Sequence, residues 1–521
     1  MAPRHKPRDV LAHRAAYGLP RDRLADRALD DYRDSAQRFS EQIDGEYYLH
    51  LSGRKRAFEI EPIYEHHAEL FSRSAVDGLR DSLERATADR ASGIRHLLGF
   101  AFEGHLGQAT KREATELAEL ESSLEVTVDS STIPYRGVMV AVANEPDAAR
   151  RAAIEAARDE LLVERLNPIH LESLQRAHEL SRELGWASYR DAWARLRAID
   201  LEALAREARA FVDTTDAAYA ELVDPELERA GVPVLGELRR FDLPRFFRAP
   251  ELDDLFPARR LVPAFAETLA GMGIDLPAQS NVHLDTESRP TKSARAFCAT
   301  PRVPEEVRLV ISPVGGRDDY EALFHEGGHA EHYAHVDPAL AFEHRHLGDN
   351  SVTESFAFLF EHLTEDPAWI GARLGVADPE PVVRHARAVK LVMLRRYAAK
   401  VAYELELHAV EPDLDAMPSR YAELLGDATR VAWPRASWLA DVDQGFYVAC
   451  YLRAWALETA WRRALRERFG PSWFETESAG RWLRELWSQG QRLDAGELLA
   501  ETTGEGLHLG VLEAEFTPPP R

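Results

Sequence analysis

The chain has 521 residues and 45% apolar content, enough for a large buried core in two or three domains or in one fold with two lobes. Its 64 basic and 88 acidic side chains give a formal charge of −24, and no Lys/Arg cluster interleaved with aromatics offsets that charge, which argues against a nucleic-acid-binding protein. Cys298 and Cys450 are the only cysteines, too few for a disulfide framework.

The opening segment of the chain is basic but has no apolar core of the kind found in a secretory signal. No apolar run approaches the roughly 20 residues that span a bilayer. We therefore expect a cytoplasmic protein without a membrane partner. The sequence does not indicate the oligomeric state.

Helical periodicity dominates the first part of the chain. Two stretches alternate with period two instead, residues 47–62 around a turn near Gly53 and residues 124–146, and each is predicted to be a β-hairpin. Residues 147–224 carry apolar side chains at spacings of three and four, which predicts long helices packed side by side.

The pattern changes after Pro277. Three short extended runs, NVHLDTES, SARAFCAT and EEVRLVISP, predict a small sheet. A helical segment follows at Gly315 and Gly316, with Asp318 and Asp319 in its first turn, where acidic groups suit the positive end of the helix dipole. The remaining chain is again mostly helical.

The helix after the sheet contains the pattern H-E-x-x-H at His325, Glu326 and His329. Histidines four apart share one helix face with Cβ atoms about 5 to 6 Å apart, so both imidazoles can reach one zinc ion at about 2.0 to 2.1 Å. Glu326 lies about 100° around the helix, where it can contact a metal-activated water and act as general base. Gly327 and Gly328 each cost about 1 kcal/mol relative to Ala in a helix, which indicates a need for space beside them.

A catalytic zinc usually has three protein ligands, and Glu354 is the best third candidate. It lies on a helix predicted to begin near Ser351 and to return antiparallel to the motif. Ser351 and Glu354 also match a capping box, in which the glutamate would bind the backbone at the helix start. Glu361, two turns later, could orient a histidine or lie on a solvated face. Five other histidines near the motif have poorer spacing and are interpreted as surface or core residues: His332, His335, His344, His346 and His362.

The segment DDYEALFHEGGHAEH, with Glu354 following His329 by 25 positions, resembles the thimet oligopeptidase and oligoendopeptidase F family of zinc metallopeptidases. KSARAFCATPRVPEEVRLVISP resembles the strands before the zinc helix of that family, and FYVACYLRAW resembles its tyrosine-rich segment. The likeness covers about residues 292–457.

The resemblance implies a mainly α-helical, two-lobed metallopeptidase with a deep substrate channel and a small antiparallel β-sheet next to the zinc helix. Its lobes would be residues 1–210, helical with two hairpins, and residues 211–521, which bind zinc. It implies one Zn²⁺ held by His325, His329 and Glu354, with Glu326 as base. Tyr447 and Tyr451 would face an oligopeptide substrate, where a phenol can donate to the developing oxyanion. Both tyrosines also fit a buried helix face.

Two departures from the family pattern predict differences. Asp441 and Asp443 stand where family members often carry a histidine, so a second transition-state donor is missing. Gly327 replaces a usually bulky residue, which predicts a larger pocket with a different side-chain preference.

The leading hypothesis is a zinc endopeptidase that hydrolyses internal bonds of short oligopeptides. A dipeptidyl carboxypeptidase would need a cation for the substrate carboxylate, and Arg453 could serve, although an arginine beside an apolar helix face more often packs its stem along that face. A non-catalytic peptide-binding protein could retain a structural zinc, but such a site does not require Glu326. Hydrolysis of a non-peptide amide uses the same chemistry and stays open.

Overall fold

The computed structural model of the protein describes residues 21–293 and 295–517. The basic opening segment discussed above lies outside this range. Helices account for 70% and strands for 5% of the structure, which confirms a mainly α-helical fold with small sheets. No helix in the described part of the chain combines the length and apolar character needed to cross a membrane.

The N-terminal half contains helices and one hairpin. In chain order its elements are α1 Arg21–Leu51, α2 Glu61–His66, α3 Arg73–Glu84, α4 Ala88–Ala109, α5 Lys111–Ser123, β1 Glu125–Val128, β2 Ser131–Pro134, α6 Val138–Asn144, α7 Ala148–Leu161, α8 Asn167–Glu183, α9 Tyr189–Arg197, α10 Leu201–Arg229, α11 Leu243–Arg248 and α12 Ala258–Gly271.

The C-terminal half contains the second sheet and the motif helices. Its elements are β3 Val282–Asp285, β4 Phe297–Arg302, β5 Glu306–Val310, α13 Arg317–Ala334, α14 Phe342–His346, α15 Asn350–Glu361, α16 Pro367–Trp369, α17 Glu380–Leu407, α18 Met417–Thr429, α19 Tyr447–Phe469, α20 Glu477–Trp487, α21 Ala495–Thr503 and α22 Gly510–Glu513.

The hairpin predicted at residues 47–62 is wrong, because α1 continues to Leu51 and no strand follows before α2. The buried face of α1, formed by Ala36, Phe39 and Ile43, has helical spacing and overrides the local alternation. The hairpin predicted at residues 124–146 is confirmed only as far as Pro134, where β1 and β2 pair antiparallel. The apolar run after it forms α6 instead, with Val138 and Val142 buried one turn apart.

The second sheet lies before the motif helix in the chain, as predicted, but it is mixed rather than antiparallel. Its strand order is β3-β5-β4, with β3 parallel and β4 antiparallel to β5. β3 cannot join β5 by a tight hairpin, because β4 intervenes in the chain between them.

Two large buried clusters form the core. One is built mainly from α1, α4, α9, α10 and α17, and the other from α12, the mixed sheet, α13, α15 and α20. Helix α19 contributes to both, with Val448 and Leu452 in the first cluster and Trp461 and Leu465 in the second. The start of α19 therefore lies in the first cluster, and the helix enters the second cluster from its middle onward. The proposed division after residue 210 stays a prediction; that position lies inside α10, and the first cluster draws residues from both sides.

Candidate metal centre

Helix α13 carries the H-E-x-x-H motif and begins as the sequence predicts. Asp319 Oδ2 accepts hydrogen bonds from the backbone amides of Val314 and Gly315 at 2.6 and 2.7 Å, which fixes the first turn. One side of the helix carries His325 and His329, whose ring centroids are 5.0 Å apart. Their side chains are 21% and 14% exposed, and His325 lines a cavity.

Glu354 lies on α15 and completes the group. Its Oε2 atom is 3.6 Å from His325 Nε2 and 3.8 Å from His329 Nε2. A tetrahedral zinc with bonds of about 2.0 to 2.1 Å separates its ligand atoms by about 3.4 Å. A slight shortening of the two distances from Glu354 Oε2 to the imidazole nitrogens would therefore bring them to this value. Within the described residues this is the only group of three or more His, Cys, Asp or Glu side chains with donor atoms within 4.8 Å.

The buried Oε2 atom of Glu354 has no hydrogen-bond partner. Glu354 is 6% exposed, and burial raises its pKa. An orphaned carboxylate oxygen is expensive unless a cation or donor meets it. Two imidazole nitrogens and one carboxylate oxygen are donors that suit zinc, so the residues present fit that ion.

The capping interpretation of Glu354 is wrong. The N-cap of α15 is Asp349, whose carboxylate accepts from the Ser351 amide at 2.9 Å. Asp349 also pairs with Arg453 at 3.0 Å. With the helix start already capped, the Glu354 side chain is free to face the histidines.

The two glycines of the motif serve helix packing. A Cβ at Gly328 would lie 2.5 Å from the Phe356 carbonyl and 2.7 Å from Ala357 Cα, so α13 and α15 touch through backbone atoms. A Cβ at Gly327 would lie 2.4 Å from the ring of Phe265 in α12. The expectation that Gly327 enlarges the pocket is therefore wrong, since Phe265 fills that space.

Each histidine is oriented through its second ring nitrogen. His325 Nδ1 lies 2.7 Å from Glu361 Oε2, and His329 Nδ1 lies 2.8 Å from Thr353 Oγ1. With Nδ1–H donating in both cases, both Nε2 atoms are left on the side of Glu354, where each can bind a metal once it carries no proton. Glu361 thus has the orienting position that the sequence left open.

The charges around the two rings differ. The hydrogen bond and charge of Glu361 outweigh the effect of burial and raise the pKa of His325 to about 9. Burial and the neighbouring His325 lower the pKa of His329 well below its usual value. A metal bound here would therefore have to displace a proton from His325, whereas the lowered pKa of His329 favours its neutral form.

Glu326 contacts the mixed sheet rather than the three ligands. Its Oε2 atom accepts a hydrogen bond of 2.8 Å from the backbone amide of Cys298 on β4. Burial raises the pKa of Glu326 to about 7, against the lowering effects of His325 and of that amide. A carboxylate with this pKa can take and return a proton near neutral pH.

The two tyrosines at the start of α19 have different partners. Tyr447 donates from its hydroxyl to Glu354 Oε1 at 2.6 Å, so it holds the third candidate ligand in place. Tyr451 packs against Tyr447 with ring centroids 4.9 Å apart and lines the cavity beside His325. The structure brings both near the metal group, and their roles toward substrate stay a prediction.

The remaining sequence candidates lie outside the group. The five other histidines near the motif contact protein groups or the core, with His346 against Asp44 and His362 against Glu365. Asp441 pairs with Arg396 and Lys400, which makes it part of an ion-pair network on α17. Arg453, the candidate for a substrate carboxylate, is engaged by Asp349.

Sequence reasoning missed two contributors. Thr353 could have been found from its position directly before Glu354, where a hydroxyl can reach a metal-binding histidine. The Cys298 amide carries no residue-type signal, because any residue except proline supplies the same donor. No protein-family model matches this chain, and no curated protein matches it either. The resemblance to the oligopeptidases therefore stays a prediction based on the motif residues.

Proposed function

We propose that this chain is a zinc-dependent metallopeptidase that hydrolyses internal peptide bonds of short oligopeptides. The observation that carries the proposal is the orphaned Glu354 oxygen facing both histidine Nε2 atoms. Glu326 beside this group favours catalysis, because a structural zinc site would not require it. The limit to short peptides, the channel between two lobes and the cytoplasmic location come from the resemblance and the composition.

Zinc held by His325, His329 and Glu354 would acidify a water molecule and polarise the scissile carbonyl. The remaining chemistry belongs to the chain. Glu326 takes the proton of the attacking water on its carboxylate and passes it to the leaving amine. The Cys298 amide keeps Glu326 in position while it alternates between the two forms.

Tyr451 is the better donor to the developing oxyanion. Its hydroxyl has no hydrogen bond to any residue in the described range, while Tyr447 is committed to Glu354. Removal of one such donor typically costs about 10² to 10³ in kcat. Tyr447 instead positions the third ligand.

Two alternatives are less well supported. A dipeptidyl carboxypeptidase would need Arg453 for the substrate carboxylate, and that guanidinium already binds Asp349. A peptide-binding protein with a structural zinc leaves the placement of Glu326 unexplained. Mapping the products by mass spectrometry separates an endopeptidase from stepwise removal of C-terminal dipeptides.

The test measures bound metal and hydrolysis of an internally quenched decapeptide in one preparation. We expect one zinc per chain, loss of cleavage with a chelator, and recovery when zinc is added. The Glu326→Gln variant should keep the zinc and lose about 10² to 10⁴ in rate. His335→Gln, at the C-cap of α13 and outside the group, is the matched control and should behave as wild type. A rate of decapeptide cleavage that neither the chelator nor the Glu326→Gln substitution lowers would contradict the proposal.

A further inference from the structure

A strained turn precedes Tyr447 at the start of α19. Gly445 and Phe446 both have left-handed backbone dihedrals, with φ of 63° and 56°. Glycine adopts this region freely, whereas for a bulky side chain such as Phe446 it is an outlier that persists only when neighbouring groups hold it. The next residue is Tyr447, whose hydroxyl binds Glu354. The groups that hold this turn therefore set the position of Tyr447.

Two side chains of α9 hold the turn from the N-terminal half of the chain. The hydroxyl of Tyr189 accepts a hydrogen bond of 2.8 Å from the Gly445 amide, and Nε of Arg197 donates to the Gly445 carbonyl. A Cβ at Gly445 would lie 3.1 Å from Nη2 of Arg197 and 3.1 Å from the ring of Trp193, so the contact is close. Both backbone polar groups of this one residue are thus bound by α9.

Arg197 also contacts the starts of the two helices that carry Glu354 and Tyr447. Its Nη1 atom donates to Asn350 Oδ1 at 3.4 Å, at the first residue of α15, and to Cys450 Sγ at 3.3 Å, in the first turn of α19. Its Cζ atom lies 5.7 Å from the centroid of the Tyr447 ring, within the roughly 6 Å of a cation–π contact. One guanidinium group therefore connects α9 with α15 and with α19.

The hydrogen bonds of Arg197 go to neutral acceptors, which distinguishes it from other largely buried arginines of the protein. Arg151 and Arg453 are bound by aspartates at 2.6 and 3.0 Å. No carboxylate within residues 21–293 and 295–517 forms an ion pair with Arg197, and the charges of Glu103 and Asp349 act on it from farther away. Its donors are therefore committed to the turn before α19 and to the helix starts around that turn.

We infer that Arg197 is a positioning residue of the metal centre: it fixes Tyr447, and Tyr447 in turn holds Glu354 toward the two histidines. The inference rests on the proposed function, because the orientation of Glu354 matters only for a metal bound there. Arg197 is not one of the candidate metal ligands. It acts through the Gly445 carbonyl and the Tyr447 ring. The geometry of the metal centre thus depends on a side chain from the N-terminal half of the chain.

The first experiment measures zinc affinity by competition with a chromogenic chelator. Arg197→Met removes the charge and all donors, so we expect zinc to bind about tenfold more weakly, as for other partners of metal ligands. Arg197→Lys keeps the charge and one donor, so it should lose less affinity, and it replaces Arg197→Met in the comparison if that variant does not fold. Arg195→Met is the matched control, since Arg195 is an exposed arginine on the same helix that pairs with Asp191. Unchanged affinity in the Arg197 variant, or an equal loss in Arg195→Met, would overturn the inference.

A double variant tests whether the effect passes through Tyr447. Tyr447→Phe removes the hydroxyl that binds Glu354, so a residue that acts by placing this hydroxyl has nothing left to place. Arg197→Met combined with Tyr447→Phe should therefore bind zinc within about threefold of Tyr447→Phe alone. Losses of affinity that multiply would show that Arg197 acts independently of Tyr447, and they would contradict the inference.

A measurement without metal separates this inference from the proposed function. Crystal structures of metal-free wild type and metal-free Arg197→Met compare the distance from the Tyr447 hydroxyl to Glu354 Oε1. We expect the hydrogen bond of 2.6 Å to be kept in the wild type and lost in the variant. Its retention in Arg197→Met would overturn the inference even if the wild type binds zinc and cleaves peptides. Its loss supports the positioning role even if the wild type binds no zinc, a result that would contradict only the proposed function.

Discussion

Two tyrosines one helical turn apart have different partners at the candidate metal centre, and we propose separate tasks for them. Tyr447 is fixed by its hydrogen bond to Glu354 Oε1, whereas Tyr451 lines the cavity and its hydroxyl bonds to no group within residues 21–293 and 295–517. The carboxylate that Tyr447 holds is also the one whose second oxygen faces the histidines. In the proposed peptidase, the first phenol would therefore act through the ligand Glu354, and the second would contact the substrate.

The two Tyr→Phe variants should separate these tasks. Tyr447→Phe removes a donor from Glu354 and is expected to weaken zinc affinity by about tenfold to 100-fold, as for other partners of metal ligands. Tyr451→Phe should keep the zinc affinity and lower kcat by about 10² or more. Competition with a chromogenic chelator gives the affinity, and steady-state kinetics gives kcat. The assignment is wrong if both variants lose metal equally.

Asp441 occupies the position where the resembling family often has a histidine, and here it stabilises the fold. Its carboxylate accepts from Arg396 at 2.5 Å and from the Tyr421 hydroxyl at 2.7 Å, and it lies 3.4 Å from Lys400. The charges of Arg396 and Lys400 outweigh burial and lower the pKa of Asp441 to about 2.

Asp441→Asn should therefore destabilise the protein in a pH-dependent way. The pKa falls from 3.8 to about 2 on folding, so the carboxylate stabilises the fold by about 2 kcal/mol at neutral pH. This contribution is complete at pH values above the pKa of Asp441 in the unfolded state. It is lost as the pH falls toward the pKa of Asp441 in the folded state. Urea unfolding should show the difference between wild type and variant shrinking from about pH 5 to about pH 2. The control Asp415→Asn, at an exposed position, should change the unfolding free energy by less than about 0.5 kcal/mol. If the difference between wild type and Asp441→Asn does not depend on pH, the lowered pKa of Asp441 is excluded as its cause.

At the scale of elements, the site depends on how closely α13 and α15 approach. Gly328 allows the contact because only a residue without Cβ leaves room for the backbone of Phe356 and Ala357. Glu354 lies less than one turn before that contact. The distance between the helices therefore sets the distance between the carboxylate and both imidazoles.

Gly328→Ala should move the helices apart. The new Cβ would lie 2.5 Å from a carbonyl oxygen, so we expect a loss of about 1 to 3 kcal/mol in unfolding free energy and a weaker zinc site. Gly99→Ala is the control: it lies within α4 with nothing within 4 Å of its Cβ, and it should stabilise the protein by up to about 1 kcal/mol. Thermal unfolding and zinc titration measure both effects. Equal stability changes of the same sign in the two variants would refute the packing argument.

At the scale of the whole molecule, the proposed zinc joins two helices of the second buried cluster beside the start of α19, which reaches both clusters. Without a metal, the buried Glu354 oxygen is left unsatisfied. Ligand binding to the folded state alone stabilises it, because the unfolded chain does not assemble the three donors.

Zinc should consequently raise the melting temperature of the wild-type protein. At a free zinc concentration about 1,000 times Kd, the added stability is about 4 kcal/mol. Glu354→Gln should abolish most of the increase, whereas the Glu331→Gln control should retain it. Differential scanning calorimetry with zinc and with a chelator provides the comparison, and identical melting temperatures in the two conditions would argue against a metal centre.

The sequence by itself determined the helical character, the motif helix and the residue types that could bind a metal. His325, Glu326 and His329 follow from helix geometry, because positions one and four residues apart have fixed relative directions. The prediction of a hairpin at residues 47–62 was wrong because it used only the local alternation of apolar residues. Burial of one face of α1 against the core determines the structure of this segment instead.

Only the tertiary structure decided which distant groups meet the motif. In the folded protein, Glu354 faces the histidines and does not cap its helix. Phe265 occupies the space beside Gly327, and Glu326 accepts a hydrogen bond from the Cys298 amide. The tertiary structure also made the sheet mixed by inserting β5 between β3 and β4. Each of these depends on packing between segments far apart in the chain, and local periodicity contains no information about such contacts.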